Sequence, residues 1–249
     1  MTELFTDPRT LLRPIALLAL GKTGADIERL VRDIRRTARR SGRGITWHDL
    51  EAGLRAGQAS MSADLRRRAA IHEAGHALVY TLTGIAEVQS ASIALHGVGL
   101  VTAVPNAHLP ETEAWLMNTI AALLAGRAAE ILVFQEPIAG AGGADESDLA
   151  RATAMALAAE TSLGFSKEQP LRYRSIAMGM QELTMDRGLA DRVNRRLECA
   201  EAIAHDLIQA NRLALDEIAS GLESVGMLAG DEVRRIVRGS VRDSETGEP

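Results

Sequence analysis

His72-Glu73-Ala74-Gly75-His76 is the stretch that decides how this 249-residue chain is read. It lies inside Ala69 to Tyr80, a run of helix-forming residues in which Ala69, Ala70, Ile71, Ala74, Ala77, Leu78 and Val79 are apolar. On an α-helix, residues four apart share a face, so His72 and His76 point at one spot and can hold one metal ion. Imidazole nitrogens suit Zn²⁺, and a catalytic zinc keeps three protein ligands and an open position for water. Glu73, about 100° around the helix, puts a carboxylate beside that open position, where it can take a proton from water. Two polar histidines on a helix surface are the bland alternative; the apolar setting and the small residues between the histidines count against it.

Composition supports a folded, mostly helical chain. Hydrophobic residues make up 46% and aromatics only 3%, which favours helices packed through aliphatic side chains and excludes a disordered chain. The single cysteine, Cys199, forbids an internal disulfide and fits a reducing compartment. Charge is uneven. Residues 1–68 carry 14 Lys and Arg against 8 Asp and Glu, and residues 69–249 carry 14 against 25. The change marks a boundary near residue 65. The early apolar run Pro14 to Leu20 is far short of the roughly 20 residues a membrane helix needs, and no signal-peptide pattern opens the chain. The expectation is a soluble, cytoplasmic chain, with membrane association only through a partner or as part of a longer protein.

Taken in order, Asp7-Pro8 and Arg13-Pro14 suggest turns. Gly21-Lys22-Thr23 invites a phosphate-loop reading, which fails because Ala16 stands where that motif needs glycine. Thr23 with Asp26 instead starts a helix over about Ala25 to Arg40, with Ile27, Leu30, Val31 and Ile34 as its apolar stripe. Its arginines (Arg29, Arg32, Arg35, Arg36, Arg39, Arg40) lack the interleaved aromatics of a nucleic-acid surface, so no nucleic acid is assigned and a solvated or subunit-facing surface is expected. Thr46 with Asp49 starts a second helix. Past Thr83-Gly84, Val88 to Leu95 and Gly99 to Val104 read as short strands joined by a turn at His96-Gly97. The edge of such a ribbon beside a zinc helix can hold an extended peptide; a purely structural hairpin is the alternative. His48, His96 and His108 are not taken as ligands. Glu111 to Phe134 is a long helix, a glycine-rich loop spans Ile138 to Ala144, and a further helix opens at Asp145-Glu146-Ser147-Asp148 and runs to about Leu163. Helices follow over about Leu189 to Asn211, Leu213 to Ser224 and Asp231 to Arg238. The fold class is mainly α, with a small β-ribbon. Domains are expected at 1–64 (helical), 65–240 (the zinc-helix region, a peptidase domain by the resemblance given below) and 241–249 (disordered tail).

A third ligand is required. Leu82 occupies the position where the metzincin spacing needs histidine. Acids downstream remain as candidates: Glu130, Asp145, Glu146 and Asp148.

His72-Glu73-Ala74-Gly75-His76-Ala77, then Gly126-Arg127-Ala128-Ala129-Glu130, then Ser147-Asp148-Leu149 with Ala152-Thr153, in that order, resemble the peptidase domain of FtsH-type ATP-dependent zinc proteases. Leu163-Gly164-Phe165-Ser166, Asn211-Arg212 and Gly230-Asp231-Glu232-Val233-Arg234 resemble later stretches of the same domain, so the likeness covers about residues 69–240. Gly21 to Ile27 is similar to a helix start in the lid of the AAA ATPase module. The resemblance implies Asp148 as the third zinc ligand, from the family's Ser-Asn-Asp-Leu stretch, with His72 and His76 as the other two. It also implies a hexameric ring, hence a homo-oligomer. The chain departs from the family in lacking a phosphate loop and a membrane span. That leaves a lid remnant without an ATPase core, either a natural truncation or a piece of a longer protein.

The reading is a zinc metalloendopeptidase acting on unfolded or short polypeptides, with Glu73 as general base and without ATPase activity of its own. An ATPase partner is possible. The rival is a non-hydrolytic scaffold or partner subunit of a full-length relative, against which the intact Glu73 and both histidines argue. A basic DNA-binding module over residues 25–43 ranks a distant third.

Overall fold

The computed structural model describes residues 22–56, 61–93, 99–139, 142–175 and 183–246, with positions 15 and 19. The expected turns at Asp7-Pro8 and Arg13-Pro14, the hairpin turn at His96-Gly97, and residues 247–249 of the expected tail lie outside them. The described residues divide into two compact units, one ending at Leu65, the other comprising Arg66–Ile93 and the described residues from Gly99 onward.

The first unit holds α1 (Gly24–Arg40) and α2 (Trp47–Arg55). Both start on reciprocal capping boxes. Asp26 N–H donates to Thr23 Oγ1 at 3.3 Å while Thr23 N–H donates to Asp26 Oδ2 at 3.0 Å, and Thr46 and Asp49 repeat the arrangement. Each box satisfies backbone donors that a helix start leaves open. Gly53 lets α2 approach α1: a Cβ there would lie 2.9 Å from side-chain carbons of Leu30 and Ile34.

The second unit is organised by two helices that are buried nearly all round, α3 (Ala63–Thr83) and α4 (Glu113–Phe134). From Ala69 to Val79, α3 buries every residue but His72. Neither helix shows a one-sided apolar stripe, as expected of core helices. They cross closely because their contacts are small: a Cβ on Gly75 would sit 2.5 Å from the Ala125 carbonyl oxygen and 2.8 Å from Ala129 Cβ. Among the described residues α4 is the one helix long and apolar enough to cross a bilayer, with mean hydropathy 1.5, but 61% of that stretch is buried inside the fold. Its apolarity is that of a core helix. α5 (Asp148–Thr161) and α6 (Arg187–Ala210) pack on α4, and α6 buries Leu189, Val193, Ala200, Ala204 and Ile208. Glu160 joins these helices, taking hydrogen bonds from Arg192 at 3.1 Å and Arg196 at 2.6 Å.

The sheet has three antiparallel strands in the order β2-β1-β3, with β1 (Ala86–Ile93), β2 (Gly99–Pro105) and β3 (Met227–Ala229). The sequence reading shows the first two and misses β3. That strand is only three residues long and follows α7 (Arg212–Val225) after a left-handed Gly226 (φ 80°), so no period-2 pattern can announce it. Among the described residues the outer edge of β2 has no strand partner. Along β2, Leu100, Thr102 and Val104 are exposed, while Gly99, Val101 and Ala103 are half-buried. α8 (Gly230–Thr246) extends past Arg238, where the sequence reading closes it, into the stretch read as a disordered tail.

Candidate metal centre

α3 presents His72 and His76 on one face, and Asp148 is the first residue of α5. Ser147 caps that helix, its hydroxyl accepting from Ala150 N–H. The expected helix start at Asp145 is thus three residues early, and Asp148 gains the first-turn position where the helix dipole favours an anion. Donor atoms of His72, His76 and Asp148 all lie within 4.8 Å of one another. His72 Nε2 is 3.1 Å from His76 Nε2, and Asp148 Oδ2 is 3.6 Å from the first and 3.2 Å from the second. Tetrahedral bonds of about 2.0–2.2 Å to zinc place ligand atoms about 3.3–3.6 Å apart. The three donors therefore stand close to the edges of such a tetrahedron. Glu130, Asp145 and Glu146, the other candidates, are not in this cluster.

Each imidazole is oriented from behind. His76 Nδ1 donates to the Ala122 carbonyl at 2.7 Å. His72 Nδ1 meets Glu130 Oε1 at 2.6 Å. Because both partners accept, Nδ1 carries a hydrogen in each ring, and Nε2 is the atom each ring turns towards Asp148, donating to it when protonated and free to bind a metal once that proton leaves. Glu130 is fully buried, and its second oxygen accepts Ile138 N–H at 2.6 Å. It therefore stands behind His72 as an orienting carboxylate stands behind a metal-bound histidine. The sequence places Glu130 among possible ligands; which face of α4 it occupies is set by a crossing that no local pattern encodes. Gly126 makes room for the His72 ring, since a Cβ there would fall 2.5 Å from Cε1 and Nε2.

Glu73 is buried at 6% exposure. A Cβ on Gly99 would overlap its carboxylate, so the first residue of β2 lies directly against it. Burial raises the Glu73 pKa; the nearby histidines oppose this and the Asp148 charge adds to it. At His72, burial pushes the pKa down but is outweighed by hydrogen bonds to Asp148 and Glu130 and by the charges of Glu73 and Glu130, so it stands at about 9. At Asp148, burial raises the pKa, and the bonds to His72 and His76 overcome it and hold the carboxyl well below its usual range. Three acids around two imidazoles call for positive charge. A proton on His72 supplies it in the metal-free chain, and a divalent cation would replace that proton.

Two outcomes follow. The raised His72 pKa gives the metal-free fold a stabilisation that is complete below pH about 6.5 and lost as pH rises through about 9. Zinc must displace the same proton, so its affinity should increase about tenfold per pH unit between these values; a flat profile in chelator competition would contradict this. Glu130→Gln keeps the shape but has one acceptor oxygen for two donors, Ile138 N–H and His72 Nδ1–H. Zinc affinity should fall about 10–100-fold in the same assay, and an unchanged affinity would remove Glu130 from its orienting role.

Comparison with known proteins adds to this geometry. Residues 59–236 match the profile of Peptidase family M41. The chain is 30% identical over 246 residues to the ATP-dependent zinc metalloprotease FtsH of Paraburkholderia phymatum, covering 90% of this chain and 38% of that protein. It is 33% identical over 252 residues to the protein of that name from Thermotoga maritima, covering 90% and 40%. Against ATP-dependent zinc metalloprotease FtsH 1 of Symbiobacterium thermophilum it is 34% identical over 241 residues, covering 91% and 39%. The chain thus spans about two fifths of the length of these relatives. With the family profile covering most of its length, the chain belongs to Peptidase family M41.

Proposed function

We propose that this chain is a zinc metalloendopeptidase that hydrolyses unfolded or short polypeptides, with zinc held by His72, His76 and Asp148 and with Glu73 as general base. The observation that carries this reading is the set of three donors at tetrahedral spacing beside a buried carboxylate that touches the start of β2. Zinc bound there would lower the pKa of a bound water and polarise the scissile carbonyl. Glu73 accepts the proton of the attacking water and passes it to the leaving amine. Its raised pKa brings it nearer to neutrality, which suits a group that must both accept and donate. The outer edge of β2, which has no strand partner among the described residues, pairs with an extended peptide through its N–H and C=O groups, as sheet edges do. Because Gly99 lies against Glu73, a peptide on that edge runs past the base.

None of these groups requires a nucleotide, so peptide cleavage proceeds without ATP when the substrate is already extended. Self-assembly is part of the proposal. Leu163, Leu171, Tyr173 and Met185 are exposed apolar side chains between and beside α5 and α6, which supports a subunit-facing role for that segment.

Hydrolysis of an unfolded fluorogenic polypeptide by the zinc-loaded chain, without ATP, tests the reading. Wild type should cleave, and Glu73→Gln should lose about 10²–10⁴-fold in kcat while retaining its zinc. Equal activity in the two would refute the base. Gly99→Ala should also lower kcat with zinc retained, because the new methyl displaces the Glu73 carboxylate; unaltered kcat would show that this contact does not govern the base.

A further inference from the structure

The orientation of His72 passes through a backbone reversal that is itself held from α3. α4 ends at Gln135, whose φ of 63° is left-handed, the one such value outside glycine among the described residues. A side-chain-bearing residue adopts this conformation at a cost and keeps it when its surroundings impose it. The reversal is what turns the chain back so that Ile138 N–H reaches Glu130 at 2.6 Å. Arg68, one helical turn before His72, grips both neighbours of Gln135. Its guanidinium lies over the Phe134 ring at 4.5 Å and pairs with Glu136 at 3.0 Å.

We propose that Arg68 is a positioning residue for the metal centre: it clamps Phe134 and Glu136 on either side of Gln135, so that Ile138 and Glu130 hold His72 Nδ1 and aim Nε2 at the ion. This rests on the reading of His72 as a zinc ligand. The Arg68 side chain is 15% exposed and that of Glu136 71%. The ion pair alone is therefore weak, whereas the partly desolvated stack on Phe134 supplies a stronger hold. α3 thus carries both the ligand and the clamp that orients it, one turn apart. The route runs Arg68, turn 134–136, Ile138, Glu130, His72, and it predicts non-additivity with Glu130.

The test is a mutant cycle read by zinc affinity in chelator competition and by the visible absorption of the cobalt-substituted chain. Arg68→Ala should weaken zinc binding by about three- to tenfold, less than direct loss of an outer-shell partner, and should alter the cobalt spectrum. Arg68→Lys, which keeps the charge, should recover part of the affinity. In a Glu130→Gln background the Arg68→Ala change should alter affinity less than twofold. If Arg68→Ala does not fold, Phe134→Leu removes the stack alone and takes its place in the cycle. Wild-type affinity and spectrum in Arg68→Ala, or equal weakening in both backgrounds, would overturn the clamp while leaving the zinc reading intact. A wild-type chain that binds no zinc would overturn that reading itself.

Discussion

The close crossing of α3 on α4 is the constraint on which the metal centre depends. It is possible because Gly75 lets the Ala125 carbonyl and Ala129 come within contact of the α3 backbone, and it is locked by the bond from His76 to the Ala122 carbonyl. At that separation α4 supplies the orienting group for each histidine, a backbone carbonyl for one and Glu130 for the other. It also supplies Gly126, whose missing side chain leaves the space filled by the His72 ring. A larger residue at Gly75 would separate the helices and misalign both imidazoles together. The packing of the core and the geometry of the site are therefore one problem in this fold.

Burying so many charges in an alanine-rich interior is costly unless each has a partner. The cluster answers this with short contacts. His72 lies between Glu130 and Asp148, and Glu130 lies between His72 and a backbone N–H. The acids outnumber the imidazoles, so the arrangement favours a cation at its centre. Glu73 differs from the others, being pressed against the backbone of β2 with its pKa raised by burial. His72 and Glu73 lie one residue apart on one helix, and their surroundings favour the charged form of the first and the neutral form of the second.

Much of this was legible in the sequence, for identifiable reasons. His72, Glu73 and His76 are local, since helical spacing alone puts two histidines on one face. The capping boxes at Thr23 and Thr46 are equally local. Asp148 is 72 positions past His76, and the residues alone left it among four acids until the resemblance to FtsH-type proteases singled it out; the structure then brings its carboxylate to the two histidines. Glu130 could not be assigned its place behind His72, because that depends on how two helices cross. β3 escaped notice because three residues carry no periodicity, and α8 continues past Arg238 although its last turns are polar. The ribbon was visible from its apolar strands, whereas the contact of Gly99 with Glu73 belongs to tertiary structure.

X-ray absorption at the zinc edge of the loaded protein tests the central claim most directly. Two nitrogen donors and a carboxylate oxygen at about 2.0–2.2 Å, with one further light-atom position open to exchangeable water, are the predicted shell. Loss of the carboxylate contribution in Asp148→Ala, with both imidazoles retained, completes the prediction. A shell containing sulfur, or a carboxylate contribution that survives in Asp148→Ala and disappears in Glu130→Gln, would contradict the account.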